Sequence, residues 1–157
     1  MRKINFKVMG GVLLSIGLCM TSGTTALAEE RIVDSNTIKY EEEFCKEDYT
    51  EIDDVGEIML QSGEGTFSEL SLSQGALKKL ANIYVEKGES ITIKLSAKPT
   101  DKSIKYGIIL DGKKMIYVYG KGKCGYNFQI EQSGNYEIFV ANENSTTIKV
   151  EGSYSVM

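Results

Sequence analysis

From residue 56 onward, apolar and polar residues alternate in short runs, and the breaks between runs hold Gly, Asn and Asp. In 90–97 (SITIKLSA), Ile91, Ile93 and Leu95 alternate with Thr92, Lys94 and Ser96, the two-residue period of a strand with one buried face. Further candidate strands follow at 66–72, 82–85, 104–110, 114–119, 126–130 and 146–156, and Ser133-Gly134-Asn135 turns into another at 136–141 (YEIFVA). Residues 73–80 (SQGALKKL) fit either a turn of helix or a loop. Asp111-Gly112 carries the signature of a two-residue hairpin, and the only proline, Pro99, falls in a break. The pattern predicts an all-β fold over 55–157. Eight or nine short antiparallel strands are expected to form a single β-sandwich, with a closed barrel as the alternative.

The first residues follow a different rule. Arg2, Lys3 and Lys7 precede a mostly apolar run at 8–20, and Ala26-Leu27-Ala28 then offers an A-x-A cleavage signal. The run is too short for a bilayer core, which needs about 20 residues. Residues 1–28 are therefore expected to be a cleaved signal peptide. Cys19 follows Leu18 rather than a small residue, which argues against a lipid anchor. Export, with release outside the cell or into the envelope, is the expected localisation.

Charge changes the picture next. Cleavage removes three bases and no acid from a chain of net charge −4, leaving −7. Such a chain has no electrostatic case for nucleic acid or anionic lipid, and no stable membrane insertion is expected after cleavage. Most of the negative charge sits in 29–54, where eleven acids meet three bases. This segment is expected to be solvated and loosely ordered, with at most a short helix near 40–47.

The stretch 84–156 resembles a family of small exported domains of Gram-positive bacteria. The resemblance rests on a glycine turn into an alternating strand (EKGESITIKLSAKP) and a strand ending in a glycine-containing turn (KYGIILDGK). It extends to QIEQSGNYEIFVANENS and the closing TTIKVEGSYSV. It implies a compact β-sandwich from a Gram-positive host. The family has no established activity, so no catalytic residues carry over.

The chain has no histidine, which removes Ser-His-Asp and Cys-His catalysis and every imidazole-dependent zinc site. No serine has a lysine three residues on, and no phosphate loop or metal-ligand spacing is present. No cofactor or metal is expected. Residues 48–57 resemble a calcium loop only faintly. Two cysteines lie beyond the leader, Cys45 and Cys124, and in an exported chain they are expected to pair. That bridge would close a loop of about 80 residues, worth on the order of 4 kcal/mol in the chain-entropy picture.

Binding chemistry concentrates in one stretch. Tyr117 and Tyr119 share a strand face, with Ile116 and Val118 turned to the core, and Lys113, Lys114, Lys121 and Lys123 surround them. Positive charge beside aromatic area suits a protein, glycan or anionic cell-wall partner. The competing account is that the tyrosines are half-buried strand residues, or that the acidic segment already covers them. The expected function is a non-catalytic binding module at or outside the cell envelope. The alternative is a small secreted enzyme or inhibitor working through carboxylates or a loop.

Overall fold

The computed structural model describes residues 37–52, 58–61 and 63–157. The expected leader 1–28, residues 29–36 of the acidic segment and the second half of the 48–57 loop (53–57) lie outside the described residues. Among the described residues, eleven strands form two sheets. The first sheet contains β1 (Tyr40–Glu43), β2 (Thr50–Glu51), β5 (Ala76–Val85), β7 (Ser103–Leu110), β8 (Lys114–Lys121) and β10 (Gly134–Asn142), in the order β1-β8-β7-β10-β5-β2. The second contains β3 (Ile58–Gln61), β4 (Glu64–Leu72), β6 (Ser90–Lys98), β9 (Lys123–Gln129) and β11 (Ile148–Val156), in the order β3-β4-β11-β6-β9. Every pairing is antiparallel except β2 on β5.

Alternation builds the core. Ile91, Ile93 and Leu95 of β6 face Ile104, Tyr106 and Ile108 of β7 across one apolar layer that both sheets share. Each such side chain, fully buried, contributes about 1.5–3 kcal/mol. Asp111 and Gly112 have φ of +48° and +68°, and Lys113 N–H donates to the Leu110 carbonyl at 3.0 Å. This is the primed turn that closes the β7–β8 hairpin.

Residues 73–80 are neither helix nor loop throughout. Gly75 turns with φ +71° and β5 starts at Ala76. The strand period is blurred there because adjacent lysines both find partners. Lys78 Nζ donates to the Ile52 carbonyl at 2.8 Å, and Lys79 Nζ sits 3.1 Å from both Glu51 and Glu137. A register shift between Ile138 and Phe139 adds to the irregularity.

Within the acidic segment, the described residues 37–52 depart most from expectation. Instead of a loose tail or a helix at 40–47, residues 40–43 pair with β8 as an edge strand, and a single 3-10 turn spans Lys46–Asp48. Because β1 and β2 hold opposite edges of the first sheet, residues 44–49 cross its outer face as a strap. Phe44 and Tyr49 pack there on Leu77, Ile109, Met115, Tyr117, Phe139 and Ala141, a second apolar layer outside the sheets. The segment is acidic, yet its few rings cover that layer and its carboxylates meet lysines on the sheet. Both effects offset the ordering entropy that composition alone says is lost.

The expected Cys45–Cys124 bridge is absent: both thiols are free. Cys124 packs inward from the second sheet, beside Gly120 and Tyr106, whereas Cys45 is exposed on the strap outside the first sheet. A sheet therefore stands between them, and no rotamer spans that gap.

Candidate functional site

Alternation along β8 turns Met115 and Tyr117 outward and Val118 inward, as read from the sequence. β7 supplies Lys105, whose register partner on β8 is Tyr119. Lys105 is only 3% exposed. Its ammonium lies 3.9 Å from the Tyr117 ring centroid and 5.3 Å from that of Tyr49. It donates to Glu42 Oε1 at 2.7 Å and to the Tyr49 hydroxyl at 2.6 Å, and Glu143 Oε1 lies 3.3 Å away. Burial by itself would lower the Lys105 pKa, but these partners outweigh it and hold the ammonium above its ordinary range. The cage thus keeps a permanent cation.

Strand β1 and the strap together supply half of this arrangement. Tyr40 stacks on Tyr117 with centroids 5.4 Å apart and meets Tyr119 edge-on at 5.8 Å. Tyr117 donates its hydroxyl to Glu42 Oε2 at 3.0 Å, and Tyr119 donates to Glu143 Oε2 at 2.7 Å. Burial, followed by these carboxylates, raises both phenol pKa values. Tyr117 retains 8% exposure and Tyr119 38%.

The four lysines of the expected patch do not gather. Lys114 pairs with Glu41 at 2.6 Å. Lys113 is exposed at the same end of β8, and Lys121 lies at the far end, about 24 Å away along a strand of this length. Lys123 belongs to β9 in the other sheet, so 112–125 is no hairpin. Gly122, with φ +55°, carries the chain from one sheet to the other. A glycine-rich break marks a turn in either case, and the residues do not say which sheet the next strand joins.

No protein-family model matches the chain, and no curated protein matches it at a significant level. Neither comparison therefore bears on the exported-domain resemblance.

Lys105, Glu42, Tyr40, Tyr49 and Glu143 were not singled out by sequence. Two signals point to them in retrospect. Lysine inside the apolar run IKYGIIL needs a buried counter-charge, and Tyr40, Glu42 and Phe44 alternate within the acidic run as a strand does. Reactive groups are scarce. Burial pushes the Cys124 thiol up to about 11, leaving negligible thiolate at neutral pH. Among the described residues, no group of three or more acids and cysteines is placed to hold a metal ion.

Proposed function

We propose that this chain is an exported, non-catalytic binding module acting at or outside the cell envelope, and that its first-sheet face recognises acidic, extended partners. One observation carries the proposal. The chain lays its own acidic strand on that face, with the Glu42 carboxylate on Lys105 and the Tyr40 ring on Tyr117. β1 acts as the resident ligand, and an external acidic segment of similar chemistry competes with it. The unreactive Cys124 thiol and the missing histidine support a binding role over catalysis.

Co-sedimentation with immobilised polygalacturonate tests this. Tyr40→Ala with Glu42→Gln loosens β1 while leaving Phe44 and Tyr49 over the apolar layer. The double variant should bind several-fold more tightly than the parent, with binding lost at high salt. Adding Lys105→Met should abolish the gain. Equal binding by parent and double variant, with both folded, would reject the proposal.

A further inference from the structure

The other sheet presents a different surface. β4, β11 and β6 lie side by side, and their register sets six outward side chains in two rows. Thr66, Ser153 and Lys94 form one row; Glu64, Ser155 and Thr92 form the next. Small serines occupy the middle strand and longer residues flank them, so the surface sinks along β11 into a trough of about 360 Å³. A second depression of about 220 Å³, around Ser96, Lys123 and Glu151, shares Lys94 and Ser153 with the first. The two make one groove running along the strands.

The floor is set before any ligand arrives. Thr92 is 7% exposed, and its Oγ1 accepts from Asn127 Nδ2 at 2.9 Å. Asn127 Oδ1 in turn accepts from Gln129 Nε2 at 2.7 Å. This chain orients the Thr92 hydroxyl and leaves its proton to be donated into the trough. Tyr154 borders the same trough, but its ring is packed in the core. The six outward side chains bring four hydroxyls, one carboxylate and one ammonium into the concavity. Their charges cancel.

We infer that this groove is a glycan site, taking a chain of neutral sugar units laid along β11. The side chains turned outward around both depressions are polar or charged, while Leu95, Cys124 and Tyr154 border the groove from the core side, and the balanced charge gives a polyanion no advantage. Sugar hydroxyls both donate and accept, and the groove offers both roles at adjacent register positions. Two joined depressions favour several linked units over a monosaccharide. The site lies on the opposite sheet from the Lys105 cage and stands apart from the function proposed above.

Native electrophoresis of the full chain through gels containing a soluble β-glucan, a xylan or a galactomannan tests the inference. At least one neutral polysaccharide should retard the protein, and high salt should leave the retardation intact. Ser155→Tyr fills the trough and should weaken binding about tenfold, the loss expected from one or two hydrogen bonds. Thr66→Ala with Lys94→Ala, both at exposed positions, should show the same loss without filling a strand. Tyr40→Ala with Glu42→Gln should change nothing here, which separates this site from the other. The inference fails if no neutral polysaccharide retards the chain or if the trough variants migrate as the parent does. It also fails if only polygalacturonate retards the chain, and only at low salt.

Discussion

The two layers that hold the first sheet are built on opposite chemistry. Its inner face meets the second sheet through aliphatic and aromatic side chains, with Ile93, Ile104 and Ile138 fully buried. Its outer face meets the strap through a smaller apolar cluster bordered by the Lys105 cage. Apolar burial depends on area and responds little to pH or salt. The cage depends on carboxylates that are about two-fifths exposed, so solvent and salt screen it. One sheet is thus held firmly on one side and conditionally on the other.

Truncation within the inner layer should have the largest effect. Ile93→Ala is expected to cost about 3 kcal/mol in urea unfolding, from lost burial plus the cavity left behind. A loss below about 1 kcal/mol would mean that the inner layer is not the main source of stability.

Next in size is Lys105→Met, which keeps the bulk and removes the cation. Glu42, Glu143 and Tyr49 then lose their common partner, at a cost of about 2 kcal/mol. Hydrogen exchange should show the change in the amides of β1 and not in those of β6. If both strands lose protection equally, the cage is not a local fastening.

Acid should act first on the attachment of β1 and β2, with a modest effect. Lys114 and Lys39 hold the Glu41 carboxyl below its usual 4.5, and Lys46 and Lys79 do the same for Glu51. A depressed folded pKa gives stability that is present above the unfolded value and lost as pH falls through the folded one. Amide exchange in β1 and β2 should therefore accelerate below about pH 4.5, before the inner strands respond. Simultaneous loss of all strands would merge the two layers into one cooperative unit.

The two thiols should show the smallest effect on stability and the sharpest contrast in access. Reductant should leave the urea midpoint unchanged. Cys45 should react with a thiol reagent at once in the folded state, whereas Cys124 should react only on unfolding. Recovery of a Cys45–Cys124 cross-linked peptide would overturn the assignment of free thiols.

The inner layer was legible because it obeys one rule. Where Ile, Leu, Val or Phe alternates with a polar residue, as in β6 and at the start of β11, burial follows and the strand can be placed from the residues alone. The Asp111-Gly112 turn was legible for a similar reason, since few residues accept positive φ at two successive positions. The outer layer obeys no single rule. Phe44 and Tyr49 look stranded among acids until the sheet brings Phe139 and Ile109 beneath them. Glu42 reads as one charge among eleven until Lys105 arrives from a strand 63 positions away in sequence. The second-sheet trough was equally hidden, because it depends on which strands become neighbours: Thr66 and Ser153 adjoin only through the β4–β11 register.

The strap also has a consequence for the time before folding is complete. A sheet made of β8, β7, β10 and β5 alone would present two edges of unpaired N–H and C=O groups, and its outer face would be greasy. Such a surface recruits other chains into continuous sheets. One segment reduces all three hazards: β1 pairs with the first half of β8, β2 caps the start of β5, and Phe44 and Tyr49 cover the face between. Because this segment precedes the sheet strands in the chain, it is on hand as they assemble. The exposure to such recruitment is thus lowered by residues whose composition alone reads as solvated and loosely ordered.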